Sequence, residues 1–438
     1  MNNDSPPSQA WLAYCRAGFE GDISEELHAR FHCAAANLVA NSGYVIAPGA
    51  RLKTLNETPV ASLTFARQLV LTHTVPIVLT SNDRVTPILA RLLEFLEFNH
   101  ILTVTDCWVE YPDTNDGKVL SRAAKAIEPR LRAALETQNK IAGHAKYRAH
   151  IFITPERQAW VGVADMTHSQ PDPLGIPRIR MPHDAPSRST LKLAEAFQVF
   201  LGDSQAQALQ PDMRAVDLGA APGGWTWQLM GRGIRVTAVD NADLKGDLVD
   251  NAMVKHMRMD GFKYTPRVSV DWMVCDMVES PSRIARLVST WLVNDWARYI
   301  IFNLKLQMKK RYAELLRCHD MIADACDEAG KPLVLQMKQL YHDREEVTCF
   351  ATVPTKRSQF AHNSTDAAVA RRAERAERTP RTGSGSAADR PGAVVRKGSV
   401  KTGAKPAPAT AKRVAKRAAA PSTSPWSVTP PPKQKRRK

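Results

Sequence analysis

Paired cysteines are missing from this chain. The seven present (Cys15, Cys33, Cys107, Cys275, Cys318, Cys326 and Cys349) form no C-x-x-C and no zinc-like group. That spacing argues against a disulfide scaffold or a structural zinc module and fits free thiols in a reducing compartment. Long apolar runs are missing too, since none reaches the roughly 20 residues that span a bilayer. The opening Met-Asn-Asn-Asp-Ser-Pro-Pro lacks the basic and apolar stretches of a secretory signal. A soluble, cytoplasmic protein is expected. Excess positive charge is absent from most of the chain. The formal charge is +16, yet residues 356–438 carry 21 Lys and Arg against four acids, leaving the rest at −1. Any nucleic acid bound by the first 355 residues must therefore meet a local positive surface.

What is present is clearest at residues 214–224, Arg-Ala-Val-Asp-Leu-Gly-Ala-Ala-Pro-Gly-Gly. A short apolar strand with Asp217 runs into a turn of small residues, and an apolar helix starting at Trp225-Thr226-Trp227 follows. A strand, a glycine turn and a helix hold nucleotide-like ligands in doubly wound α/β folds, at the carboxyl ends of the strands. The turn is neither G-x-G-x-x-G nor a P-loop, so a pyrophosphate cofactor is disfavoured. An uncharged cradle suits a small adenosine-bearing molecule such as S-adenosylmethionine. The bland alternative is an ordinary strand-to-helix turn in a core.

Around this turn, residues 187–355 alternate strand and helix. Helices are expected at 190–201, 225–231, 281–296 and 309–328. Strands are expected at 214–218, 234–239, 270–275, 299–304, 332–339 and 346–353. The alternation predicts a mostly parallel sheet covered on both faces. The short polar turn Tyr341–Glu345 makes the last two strands antiparallel. Earlier, residues 63–71, 103–111, 150–154 and 160–164 read as strands, and 84–97 and 120–135 as helices, which predicts a compact α+β region. A proline-rich connector (Pro171, Pro173, Pro177, Pro182, Pro186) separates the two parts. Residues 356–438 are rich in Ala, Pro, Lys, Arg, Ser and Thr, a composition expected to be disordered.

Candidate site residues fall at strand ends. Asp240 ends the strand after the glycine turn, at the spacing of an acid that binds ribose hydroxyls. Asp260 lies in a loop that could reach an adenine, and Asp276 ends the next strand. Lys192 opens the first helix of this part, and Lys305 ends Tyr-Ile-Ile-Phe-Asn-Leu-Lys. Glu346, beside Glu345, begins the final strand. A lone lysine or strand-end acid is usually a solvated charge, but ligands gather at this edge of such sheets.

The run Asp-Leu-Gly-Ala-Ala-Pro-Gly-Gly-Trp, followed and preceded by Lys, Asp, Lys and Glu in that order, resembles the FtsJ-type 2′-O-ribose methyltransferases. Further segments resemble the ribosomal RNA large subunit methyltransferase M family: Tyr14–Glu20, Leu174–Pro182, Ser187–Lys192 and Leu340–Thr348. The resemblance covers about residues 11–355. It implies a ferredoxin-like region over 1–60, a THUMP-like RNA-binding region over 61–168, an FtsJ-like Rossmann domain over 169–355, and the basic tail beyond. It also implies S-adenosyl-L-methionine as the cofactor, and a monomer is expected. Its substrate would be the ribose of a cytidine in 23S rRNA near the peptidyl transferase centre, or an assembly precursor of that RNA. The implied catalytic residues are Lys192, Asp276, Lys305 and Glu346. Those implied around the cofactor are Ser189, Ala221, Pro222, Gly223, Gly224, Asp240, Asp260 and Asp276. Ala221 stands where Cys is usual in the family. Arg178, Arg180, Arg188 and Lys192 around the connector, together with the basic tail, are the expected contacts to RNA phosphates, although a solvated loop explains the four connector cations equally well. Other readings are a ribose methyltransferase acting on a different RNA and a non-catalytic assembly factor with a vestigial fold. A base methyltransferase is disfavoured, because residues 276–281 read Asp-Met-Val-Glu-Ser-Pro where amine-directed enzymes carry Asn/Asp-Pro-Pro-Tyr/Phe.

Overall fold

The computed structural model describes residues 9–36, 38–79, 82–306 and 310–354. The tail expected to be disordered, 356–438, and the expected helix start at 309 lie outside these residues.

Two seven-stranded sheets organise the described chain. The first contains β1 (Gln9–Tyr14), β2 (Tyr44–Pro48), β3 (Gln68–His73), β4 (Ile77–Val78), β5 (Cys107–Glu110), β6 (Tyr147–Ile153) and β7 (Gln158–Asp165). Their order is β2-β1-β3-β7-β6-β5, with β4 also pairing β7. Side chains alternate across this sheet, so Trp11, Ala13, Ile151 and Val161 join one core with the helices Glu20–Phe31, Val85–Phe98 and Ser121–Thr137. β1 pairs both β2 and β3, so strands on either side of residue 60 share one sheet.

The strand expected at 63–71 begins later, at Gln68. Residues 60–62 make a turn of 3-10 helix, and the backbone beyond it is held by side chains. Glu26 accepts hydrogen bonds from Thr64 N (2.5 Å) and Phe65 N (3.0 Å). Lys338 Nζ donates to the carbonyls of Val60, Leu63 and Ala66 at 2.8, 2.7 and 2.5 Å. A loop whose polar groups are already bonded to buried charges has no reason to join a ladder.

The second sheet contains β8 (Arg214–Leu218), β9 (Arg235–Val239), β10 (Val254–Met257), β11 (Val270–Cys275), β12 (Ala297–Lys305), β13 (Val334–Lys338) and β14 (Glu346–Thr352). Its order is β10-β9-β8-β11-β12-β14-β13. The pairs from β10 to β12 are parallel, and β14 runs antiparallel between β12 and β13. The central strands β8, β11, β12 and β14 are largely buried on both faces, as interior strands of such sheets are. Trp272, Val274, Tyr299 and Ile301 pack with the helices Thr190–Leu201 and Gly224–Met230. Met273, Cys275, Ile300 and Phe302 pack with Pro281–Val293 and Arg311–Glu328. This is the expected doubly wound α/β domain behind an α+β region. β9 leads one way from β8 while β12 leads the other way from β11, so the crevice between the β8 and β11 ends is where such a sheet binds ligands. Among the described residues no helix is long and apolar enough to cross a membrane.

Candidate active site

The glycine turn after β8 holds its shape through close packing. Gly223 has φ +114°, a region that disfavours side chains, and a Cβ there would lie 2.2 Å from Leu248 Cδ1. At Gly224 a Cβ would lie 2.4 Å from Ser189 Oγ, 2.6 Å from Ser187 Oγ and 3.0 Å from Thr190 N. The bare glycine lets the helix Gly224–Met230 abut the start of the helix Thr190–Leu201. Two hydrogen bonds lock that contact. Trp225 Nε1 donates to Ser189 O (3.0 Å), and Thr190 Oγ1 donates to Gly224 O (3.1 Å). Lys192 is thereby fixed relative to the turn.

Of the acids expected near a cofactor, Asp240 bonds to this turn and Asp260 caps a separate turn beyond β10. Asp240 follows β9 and accepts from Ala221 N (3.0 Å) and Ala242 N (2.9 Å). Lys245 N donates to Pro222 O (3.0 Å), which ties down the other side of the turn. Asp260 caps the short turn Gly261–Lys263 by accepting from Phe262 N (2.9 Å). Asp217, within β8, is fully buried. Its Oδ2 accepts from Thr226 Oγ1 (2.7 Å), whereas its Oδ1 has no partner. Burial pushes its pKa up to about 7, although the Thr226 bond opposes this.

Four charged side chains meet beside the β11 end. Lys305 and Glu346 are directly opposite in the β12–β14 register. Lys305 Nζ pairs with Asp276 Oδ1, and Lys192 Nζ pairs with Glu346 Oε1. The other two sides are longer, with Lys192 Nζ 3.5 Å from Asp276 Oδ2 and Lys305 Nζ 3.6 Å from Glu346 Oε2. Charges of alternating sign thus form a closed square whose side chains are 10–21% exposed. Burial of Lys192 disfavours its charge, but Asp276 and Glu346 outweigh that and hold its pKa above the usual lysine value.

Glu345 is not part of the square. It accepts from Arg311 Nη2 (2.6 Å) and is 56% exposed. The residue before a strand's first inward side chain faces the other way. Ser189 meets the turn through its carbonyl and its contact with Gly224, and its hydroxyl lies 2.9 Å from Ser187 Oγ. Arg178, Arg180 and Arg188 are exposed on the connector.

Sequence reasoning missed the support behind the square. Asn303 Nδ2 donates to Asp276 Oδ1 (2.9 Å), and Thr348 and Asp343 lie behind it. The signal was an asparagine inside an otherwise apolar strand, two residues before Lys305.

Two family models match this chain. One, described as "Ribosomal RNA large subunit methyltransferase M, N-terminal", covers residues 83–165, and one described as "FtsJ-like methyltransferase" covers 185–311. Proteins named ribosomal RNA large subunit methyltransferase M are similar over most of its length. That of Stenotrophomonas maltophilia (strain K279a) is 43% identical over 359 residues, spanning 78% of this chain and 96% of that protein. That of Laribacter hongkongensis (strain HLHK9) is 49% identical over 277 residues, 63% and 77% of the two chains. Among solved structures, TrmN from Thermus thermophilus aligns with 79% of this chain and 100% of its own at 15% identity and a TM-score of 0.31, too low to add to the strand order above.

S-adenosylmethionine is the cofactor of such a domain, and the residues present fit it. The turn carries no phosphate-binding cation, the small residues leave the main chain approachable, and the unpartnered Asp217 Oδ1 suits a cationic ligand. Both family models and the full-length relatives agree, and the chain belongs to the ribosomal RNA large subunit methyltransferase M family.

Proposed function

We propose that this rRNA methyltransferase acts on a ribose 2′-oxygen, with Lys305 receiving the proton. The observation that carries the reading is the square of Lys192, Asp276, Lys305 and Glu346 at the carboxyl edge of the sheet. S-adenosylmethionine would supply an electrophilic sulfonium methyl group: the ribose 2′-oxygen bonds to the methyl carbon, the thioether S-adenosylhomocysteine leaves, and the hydroxyl proton goes to Lys305. Asp240 and Asp260 would hold the cofactor's nucleoside, and Asp217 its positive charge. The chain's own part is then positioning and proton transfer, for which well-oriented groups supply several kcal/mol.

The square divides these duties. Lys192 is kept charged by Asp276 and Glu346, so it serves as a fixed cation near the reacting oxygen. Lys305 lies at the end of a rigid strand, and in its neutral form it accepts the hydroxyl proton. Asp276 and Glu346 orient both amines. Arg178, Arg180 and Arg188 would meet RNA phosphates, and residues 356–438 would add sequence-independent attraction. The cytidine and its place in 23S rRNA near the peptidyl transferase centre rest on the family resemblance.

Mass-spectrometric mapping of ribose methylation in rRNA tests this reading, comparing cells with and without the gene. One 2′-O-methylcytidine of 23S rRNA should disappear in its absence. Purified Lys305→Ala should lose methyl transfer by 100-fold or more, an order set by the loss of a positioned base, while binding S-adenosylmethionine within a few-fold of wild type. Loss of cofactor binding instead would make Lys305 a structural residue.

A further inference from the structure

Behind the square lies a chain of buried polar groups. Asn303, Asp343 and Thr348 are all at most 1% exposed. Asn303 Nδ2 donates to Asp276 Oδ1 at 2.9 Å, the same oxygen that receives Lys305. That bond fixes the amide's orientation, because a carboxylate only accepts. Asn303 Oδ1 therefore points away from the site, where Thr348 Oγ1 lies 2.8 Å from it. The same hydroxyl is 3.0 and 2.9 Å from the two oxygens of Asp343.

A hydroxyl has one proton, and here two acceptors face it. If Asp343 were ionised, it would take that proton, and Asn303 Oδ1 would be left buried without a donor. If Asp343 is neutral, every group is satisfied. Its Oδ2 accepts from Leu340 N (3.0 Å), and its Oδ1 proton goes to Thr348 Oγ1. Thr348 then donates to Asn303, and Asn303 donates to Asp276. All bonds in the chain then run one way and end on the acid that holds Lys305.

We propose that neutral Asp343, Thr348 and Asn303 form a one-directional hydrogen-bond relay that positions Asp276, and through it Lys305, for proton transfer. The relay deepens the proposed function and rests on that reading of the square. The surroundings of Asp343 favour its neutral form. Burial raises its pKa well above the usual carboxylate range, and the charge of Glu346 raises it further. Glu195 also faces it, bonded to His342 Nδ1 (2.6 Å) and to the amides of Tyr341 and His342. Lys192, on the far side of Glu346, is the opposing cation. None of the three relay residues touches a substrate, so they are positioning residues.

Variants at Thr348 separate a relay from plain packing. Thr348→Val keeps the shape and removes the proton, whereas Thr348→Ser keeps the proton and removes a methyl group. A relay predicts that Thr348→Val lowers kcat roughly ten- to hundred-fold, the range expected of a displaced catalytic group, with KM for S-adenosylmethionine within two-fold. Thr348→Ser then restores most of the rate. Packing alone predicts the reverse order, with Thr348→Ser the worse of the two. Asp343→Ala should fall like Thr348→Val, and Asp343→Asn, whose amide donates as the neutral acid does, should recover. Equal rates for Thr348→Val and wild type, or an Asp343→Asn as inactive as Asp343→Ala, would overturn the relay. Asp276→Ala is measured alongside. If it retains full activity, the reading of the square fails; if it is inactive while Thr348→Val is unimpaired, only the relay fails.

Discussion

The two adjacent acids Glu345 and Glu346 show how much one residue's register decides. Glu346→Gln should reduce methyl transfer at least ten-fold, since it removes a charge that holds Lys192 and Lys305. Glu345→Gln weakens a pair in which Glu345 is 56% exposed and the buried Arg311 keeps Asp22 and Gly18 O as partners, so it should leave the rate nearly unchanged. Single-turnover assays on both variants check the contrast. Asp217 makes a second residue-scale prediction. Its pKa rises from 3.8 to about 7 on burial, so the native state keeps a proton that the unfolded chain has lost. Asp217's own contribution to the stability of the free protein is then fully present below about pH 4 and is lost as pH rises through about 7, by on the order of 4 kcal/mol. Asp217→Asn should flatten that slope in thermal denaturation at pH 5 and pH 8. A cationic ligand favours the ionised carboxylate, so S-adenosylmethionine should bind wild type more tightly as pH rises through 7. Three charges of the square were legible as residue types at strand ends and the fourth, Lys192, at the start of a helix. Their support was not, because Asn303's one signal, its place in an apolar strand, names no partner, and Thr348 and Asp343 look unremarkable until the sheet brings β12 beside β14.

At the scale of elements, the contact between Gly224 and the Ser187–Thr190 segment sets the place of Lys192. In Gly224→Ala the new methyl would press on the Thr190 backbone as well as on two serine hydroxyls. The helix Thr190–Leu201 must shift, and Lys192 with it. Methyl transfer should fall by more than ten-fold, as small displacements of catalytic groups do, and more than cofactor affinity, measured by calorimetry. The second sheet was legible because its strands are apolar runs separated by amphipathic helices. Its edge strand β10, Val-Lys-His-Met, offered no such run and was missed. In the first sheet β1 escaped notice because it is buried on both faces and shows no alternation. The helix Glu20–Phe31 escaped because it buries Glu20, Asp22 and Glu26, acids that bond to backbone or to Arg311 and so blur the apolar stripe.

At the scale of the molecule, the two sheets are joined by buried charge. Lys338 on β13 and Glu26 grip the 60–66 backbone from its carbonyl and amide sides. Arg311 donates to Gly18 O (3.0 Å) and Asp22 (2.9 Å). Lys338→Met would orphan three buried carbonyls and should destabilise by about 3–5 kcal/mol, the cost of breaking a buried charged cluster, seen as a lower Tm and faster proteolysis. Burial lowers the Lys338 pKa to about 7, so the unfolded chain binds the extra proton between pH 7 and 10.5. That group's contribution to stability therefore rises with pH across this window and is lost in Lys338→Met. No composition or periodicity announces such a clamp, since its partners lie over 270 residues apart. Removing residues 356–438 should reduce the salt dependence of rRNA binding, read from the slope of log affinity against log salt; an unchanged slope would assign them no part in it. The position of β14 has one more outcome. Chains emerge from synthesis N-terminus first, and the strand wedged between β12 and β13 is the last to be made. A product interrupted before it has the glycine turn and three of the four charges, yet no Glu346, and β12 and β13 have no strand between them. If the proposed square carries the reaction, such a fragment is expected to transfer no methyl group, and an enzyme that marks ribosomes would become competent only once a ribosome has finished making this strand.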